Sequence, residues 1–88
     1  MAVQMKIELF YNPTCPVCPQ AKKLVKKISR KYPQVEYVEI NAFEHQDQVM
    51  KLGFQSVPAI VIDGKLWHVG MPDKKALREE IESKLGRV

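Results

Sequence analysis

The sequence predicts an α/β protein with the element order βαβαββα, in which a mixed four-stranded sheet is flanked by three helices. Three observations carry this prediction. Residues 5–11 alternate between apolar and polar, residues 21–32 repeat apolar side chains at helical spacing, and an Asp-Gly turn pair at 63–64 separates two apolar runs. A chain of 88 residues has room for one core, so a single domain over residues 1–88 is expected.

The first predicted strand covers residues 5–11. One side of it is apolar at every second position, through Met5, Ile7, Leu9 and Tyr11. Phe10 makes the other face partly apolar as well, which is typical of a central strand. The Asn-Pro-Thr segment 12–14 ends the strand.

The first predicted helix has one apolar face, formed by Ala21, Leu24, Val25, Ile28 and Tyr32. Pro33 ends it. The opposite face is basic and holds much of the net charge of +4, through Lys22, Lys23, Lys26, Lys27, Arg30 and Lys31. No aromatic residue lies between these cations, as a nucleic-acid surface would require, so we interpret the face as the solvated side of the helix. Nucleic acid is therefore not an expected partner.

The second predicted strand, residues 35–40, is more charged and is placed nearer a sheet edge. A right-handed crossover through the first helix makes it parallel to the first strand. Residues 43–52 form a short helix, and Gly53 is its C-cap.

A hairpin and a helix complete the domain. The apolar run 59–62 and the returning strand 66–69 are antiparallel, since Asp-Gly at 63–64 is a hairpin turn. Pro72 and Asp73 open the last helix. Its apolar face consists of Ala76, Leu77, Ile81 and Leu85, and Gly86 follows at its end.

Both cysteines fall where the first strand passes into the first helix. Cys15 is expected at or next to the helix N-cap, and Cys18 one turn further in on the same face. Only the thiolate attacks disulfides, and a helix start lowers the pKa of a thiol from about 8.5 to roughly 3.5–7.5. Lys22 and Lys23 add positive charge nearby. Cys18 is close enough to displace a substrate from a mixed disulfide at Cys15, so the pair is predicted to exchange disulfides.

Three prolines surround this chemistry. Pro16 fixes the turn between the cysteines, whereas Pro19 is expected to distort the first helical turn around Cys18. Val57-Pro58 precedes a buried strand. A proline at the start of a strand either protects a sheet edge or follows a cis peptide bond. A cis Pro58 opposite the helix start would leave the backbone of Val57 free to pair with an extended substrate.

Other functions of the two thiols have less support in the sequence. Zinc prefers four ligands, and beyond the thiols the chain has only His45 and His68, on distant elements, so no metal site is predicted. Two thiolates alone can hold Cu(I). A metal-carrying protein and a redox-inactive binding module therefore stay as alternatives from a different class.

Three motifs carry a family resemblance that covers nearly the whole chain. They are Cys15-Pro16-Val17-Cys18, Ala21-Lys22-Lys23-Leu24 and Ser56-Val57-Pro58. Together they resemble the thioredoxin/glutaredoxin superfamily, and residues 12–19 are most similar to its small archaeal members and to the units of archaeal protein disulfide oxidoreductases. The resemblance implies a thioredoxin-like fold, Cys15 as nucleophile, Cys18 as resolving thiol and Pro58 in cis.

The chain also departs from this family. Thr14 stands where thioredoxins carry Trp, and Leu9 replaces the buried acid six residues before the first cysteine. Glutaredoxins use a lysine in the loop before that cysteine, and residues 12–14 contain none. Of their Gly-Gly-x-Asp turn this chain keeps Gly70 and Asp73.

The sequence therefore predicts a thiol–disulfide oxidoreductase acting on protein disulfides, with a glutathione-dependent glutaredoxin as the alternative. Its candidate substrate-binding residues are Pro16, Val17, Val57, Pro58 and Asp73. No cofactor is predicted, although glutathione stays open as one. Expected partners are disulfide-containing proteins and a reductase or low-molecular-weight thiol. With no apolar run near ~18 residues and no signal-peptide layout, we expect a cytoplasmic monomer without a membrane partner.

Overall fold

The computed structural model describes residues 4–86. Residues 1–3 and 87–88 of the predicted domain lie outside this range, and so do the first residues of the N-terminus that we compared with a signal peptide. The elements are β1 (Met5–Tyr11), α1 (Cys18–Ser29), β2 (Val35–Asn41), α2 (Gln46–Leu52), β3 (Ala59–Ile62), β4 (Lys65–Val69) and α3 (Lys74–Lys84). The predicted order βαβαββα is confirmed.

The four strands form one sheet in the order β2-β1-β3-β4. β1 is parallel to β2 and antiparallel to β3, and β3 is antiparallel to β4. The central position of β1, the edge position of β2 and the mixed character of the sheet are therefore confirmed.

Helices cover both faces of the sheet. On one face, the apolar sides of α1 and α3 pack against β1 and β3 in a cluster that includes Leu9, Val25, Ile28, Ile60 and Leu77. On the other face, Phe10 packs edge-on against Phe54, with ring centroids 5.2 Å apart, and Val49 and Leu52 of α2 join them. Phe10 is fully buried, so β1 is apolar on both sides, as its central position requires.

Two predicted helices are shorter in the structure. The segment 43–52 divides into a 3₁₀ turn, Ala42–His45, and α2, because the Asn41 side chain accepts the Phe43 N–H at 2.9 Å and starts the turn early. α1 ends at Ser29, before the predicted Tyr32. The Tyr32 hydroxyl instead donates to Glu82 at 2.8 Å and ties this segment to α3.

Candidate active site

The loop between β1 and α1 is held by Asn12. Its side-chain oxygen accepts hydrogen bonds from the backbone N–H and the hydroxyl of Thr14, both at 2.9 Å. Its backbone carbonyl accepts the N–H of Cys15 at 3.0 Å. This local turn, which Asn-Pro-Thr favours, fixes the backbone that presents Cys15.

The start of α1 differs from the prediction. Val17 is the N-cap and Cys18 is the first helical residue, so Cys15 lies in the loop two positions before the cap and not at it. The expected distortion at Pro19 is also wrong. Pro19 falls in the first turn, where backbone N–H groups have no partner within the helix, so its missing donor costs little.

Cys15 and Cys18 are both free thiols with very different exposure. Cys15 is partly exposed, whereas Cys18 is 2% exposed. The Cys15 thiol donates to the Val57 carbonyl, with Sγ and O 3.7 Å apart. The peptide bond between Val57 and Pro58 is cis, as predicted, and Pro58 is fully buried. The structure therefore brings the cis-proline segment against the more exposed thiol.

Hydrogen bonds and burial separate the two thiols. Partial burial opposes ionisation of Cys15, but hydrogen bonds to its sulfur from the Cys18 thiol and from the backbone N–H groups of Val17 and Cys18 together hold its pKa below the usual value. Burial and the adjacent Cys15 sulfur together raise the pKa of Cys18 to about 11, against the backbone of Asn12 and the charge of Lys22. Cys15 is thus the thiol that is ready to attack.

Lys22 lies elsewhere than expected. The sequence predicts that its charge favours a Cys15 thiolate. In the structure its charge instead lowers the pKa of Cys18. The Lys22 ammonium sits 3.4 Å from the centroid of the Tyr11 ring and 3.9 Å from Glu39. Lys23 is exposed. The hydrogen bonds described above, and not the lysines, account for the lowered pKa of Cys15.

The remaining predicted site residues lie beside the thiols, directly after β4 and at the start of α3. Pro16 and Val17 are exposed beside the thiols, with Val17 40% exposed. Gly70, directly after β4, donates its N–H to the Pro58 carbonyl at 2.7 Å and so ties this turn to the cis-proline segment. Asp73 begins α3, where its carboxylate accepts the Ala76 N–H at 2.9 Å as the helix N-cap. Its predicted contact with substrate stays a prediction.

A groove beside the thiol loop was not predicted from the sequence. It has a volume of about 210 Å³ and is lined by Asn12, Ala42, Phe43, Gln46, Val49, Phe54, Gln55 and Val57. None of these residues is charged at neutral pH. The groove shares Asn12 and Val57 with the cysteine site, and Phe43 stands 60% exposed at it. An aromatic residue in a polar segment was the one signal for it in the sequence.

Neither histidine points to a metal site. His45 Nδ1 lies 3.1 Å from the Asn41 carbonyl, and His68 Nε2 lies 3.2 Å from the Met71 carbonyl. Across residues 4–86, no three His, Cys, Asp or Glu side chains cluster as metal ligands would. Over the same range, no helix is long and apolar enough to cross a membrane.

This geometry matches a known family. A partly exposed thiol of lowered pKa, a buried partner three residues on and a cis-proline facing them suit dithiol exchange. Residues 5–82 match the thioredoxin domain family. The chain belongs to the thioredoxin family. It is 42% identical to a thioredoxin from Methanocaldococcus jannaschii over 83 residues, which are 93% of this chain and 98% of the relative.

Two further relatives place the chain within the superfamily. A protein disulfide oxidoreductase from Aeropyrum pernix superposes with a TM-score of 0.83 and 29% identity, covering 99% of this chain and 40% of that one. Human glutaredoxin-1 is 33% identical over 82 residues, which are 88% of this chain and 76% of that protein. The predicted thioredoxin-like fold and archaeal resemblance are confirmed, and the chain is a thiol–disulfide oxidoreductase.

Proposed function

We propose that Cys15 attacks protein disulfides, that Cys18 resolves the mixed disulfide, and that protein substrates are preferred to glutathione mixed disulfides. One observation supports this most strongly. The Cys15 sulfur, partly exposed and of lowered pKa, lies 3.7 Å from the carbonyl of Val57, a residue that also lines the uncharged groove. A polypeptide disulfide meets a nucleophile, a backbone edge and an apolar surface at a single place.

The exchange proceeds in two displacements. The Cys15 thiolate attacks one sulfur of the substrate disulfide, and the other sulfur leaves as a thiolate that takes a proton from water. Cys18 then loses its proton and attacks the Cys15 sulfur, which releases the second substrate thiolate. The substrate gains two electrons and two protons, while Cys15 and Cys18 become a disulfide. A reductase or a low-molecular-weight thiol returns the pair to the dithiol.

The backbone at Val57 suits an extended peptide. A segment flanking the substrate disulfide pairs with this backbone as an added strand, and every peptide has the donors and acceptors to do so. Val57 and Phe43 both line the groove, and none of its lining residues is charged, so a neutral or apolar side chain of the substrate fits there without burying a charge. These contacts are independent of any glutathione-specific group.

The site lacks a set of charges that matches the charged groups of glutathione. Residues 12–14 supply no cation for its carboxylates, and Lys22 is already placed against Glu39. The carboxylate of Asp73 is engaged as the cap of α3. Losing one charged hydrogen bond costs roughly 1.5–3 kcal/mol, or about ten- to a hundredfold in affinity.

A glutathione-dependent activity is the second candidate, since the chain is 33% identical to human glutaredoxin-1 and keeps Gly70 and Asp73. Turnover of insulin disulfides and of a glutathionylated small thiol, measured with the same enzyme preparation, separates the two. We expect kcat/KM for insulin to exceed that for the glutathionylated thiol by about tenfold or more. Cys15→Ser is the control and is expected to abolish both activities. Faster glutathione-linked turnover would favour the glutaredoxin assignment.

The reductant, the monomeric state, the cytoplasmic location and the lack of a cofactor stay predictions within this proposal. The oligomeric state and the reductant have direct tests. Sedimentation of the reduced protein gives its oligomeric state, and a reduction assay that compares glutathione with a thioredoxin reductase as electron source identifies the reductant.

A further inference from the structure

Cys18 has to ionise in a place that disfavours ionisation. It is 2% exposed, and burial together with the adjacent Cys15 sulfur raises its pKa to about 11. Leu9, which stands in β1 where the family carries a buried acid, is fully buried and cannot accept a proton. Some other group has to stabilise the thiolate while it forms.

Lys22 is the cation that α1 places near this sulfur. It follows Cys18 by four residues, and side chains at this spacing lie on the same face of a helix, one turn apart. The Lys22 clamp, formed by Lys22, Tyr11 and Glu39, holds the ammonium 3.4 Å from the ring centroid and 3.9 Å from the carboxylate. The Tyr37 hydroxyl donates to the other Glu39 oxygen at 2.9 Å, which fixes that carboxylate.

We propose that Lys22 is a positioning residue for the resolving step. It follows Cys18 by one helical turn on the same face of α1, and the clamp holds its ammonium against Tyr11 of β1 and Glu39 of β2, where its charge favours the negative charge that develops on the Cys18 sulfur when the mixed disulfide is resolved. The proposal rests on the dithiol exchange of Cys15 and Cys18 and not on the preference for protein substrates. It adds to the dithiol exchange a group that stabilises negative charge on Cys18 and that differs from the groups stabilising it on Cys15.

Three groups around Cys18 affect its ionisation. Cys15 in the preceding loop opposes ionisation of Cys18, while the backbone of Asn12 and the charge of Lys22 favour it. Glu39 on β2 pairs with Lys22 and is not among the groups that shift the pKa of Cys18. In the step itself, the Cys18 proton leaves to water, the new bond joins the Cys18 and Cys15 sulfurs, and the bond from Cys15 to the substrate breaks. Lys22 neither accepts nor donates that proton.

Reaction of the reduced protein with excess Ellman's reagent tests the proposal. Attack by Cys15 releases one thionitrobenzoate at a rate set by reagent concentration, and resolution by Cys18 releases a second at a rate independent of it. For Lys22→Met we expect resolution at neutral pH to slow about three- to tenfold, with its pH profile moved to higher pH, because one favourable charge is lost. Attack by Cys15 is expected to change less than about twofold, because hydrogen bonds and not Lys22 govern its pKa.

Two matched variants control the result. Lys27→Met removes the same charge from an exposed position of α1 and is expected to leave both phases unchanged. Lys22→Arg keeps the charge and is expected to resolve nearly as fast as the wild type. A Lys22→Met protein whose resolution phase keeps the wild-type rate and pH profile, or whose two phases slow equally, would overturn the proposal. Because the reagent replaces any protein substrate, this outcome is independent of the insulin comparison.

Discussion

Cys15 and Cys18 are three positions apart, and their surroundings shift the pKa values of the two thiols in opposite directions. Hydrogen bonds from Cys18 and from two backbone N–H groups stabilise the Cys15 thiolate, whereas burial disfavours a Cys18 thiolate. The same sulfur-to-sulfur hydrogen bond therefore lowers one pKa and raises the other. This asymmetry supports the proposed roles, attack for Cys15 and resolution for Cys18.

The asymmetry predicts the order of alkylation. A thiol of lowered pKa is already a thiolate at a pH where an ordinary thiol is protonated, so iodoacetamide at mildly acidic pH is expected to modify Cys15 first. Cys18 is expected to resist until the pH approaches its pKa of about 11. Peptide mass spectrometry after short exposures gives the modified position, and earlier labelling of Cys18 would reverse the assignment of roles.

Residue-level reasoning from the sequence found the thiols and the cis-proline but misplaced Lys22. Motif spacing fixes which residues share a loop or a helix face, so Cys15, Cys18 and Pro58 could be named directly. The partners of a long flexible side chain depend on neighbouring strands. Glu39 lies opposite Leu9 in the parallel register, and only that register brings the carboxylate toward Lys22.

At the scale of elements, helix starts were the least predictable feature. α1 begins at Cys18, and its N-cap residue, Val17, makes no side-chain capping hydrogen bond, so no capping residue marks the boundary and the start expected from the cysteine motif is too early. α3 begins where it was expected, because Asp73 is a strong N-cap residue. At α3 the capping side chain makes the boundary, and the boundary was predicted correctly there.

This cap yields a prediction at α3. Asp73→Ala is expected to lower the free energy of unfolding by about 0.5–2 kcal/mol, because the Ala76 N–H loses its acceptor. Asp73→Asn keeps a capping oxygen and is expected to lose much less. Urea denaturation of the reduced proteins measures both, and insulin reduction by the two variants is expected to stay near the wild-type rate.

A different result would change the role of Asp73. If Asp73→Ala unfolds like the wild type and glutathione-linked turnover falls sharply, the carboxylate acts on a ligand and not as a cap. That outcome would support the glutaredoxin alternative.

For the whole molecule, alternation and helical spacing were sufficient to predict the topology. The apolar second face at Phe10 indicated a central β1, and the Asp-Gly pair at 63–64 indicated the antiparallel β3–β4 hairpin. The groove was not predictable, because Asn12, Phe43 and Val57 come from three separate segments. Surfaces assembled from distant loops leave no local pattern in a sequence.

The central claim is that Cys15 attacks and Cys18 resolves. Incubation of Cys18→Ser with an oxidised protein substrate, followed by non-reducing electrophoresis and mass mapping, tests it most directly. We predict a stable disulfide between Cys15 and the substrate, absent with Cys15→Ser and released by dithiothreitol, because the variant can attack but cannot resolve. A stable adduct formed by Cys15→Ser through Cys18, with none in Cys18→Ser, would contradict the account.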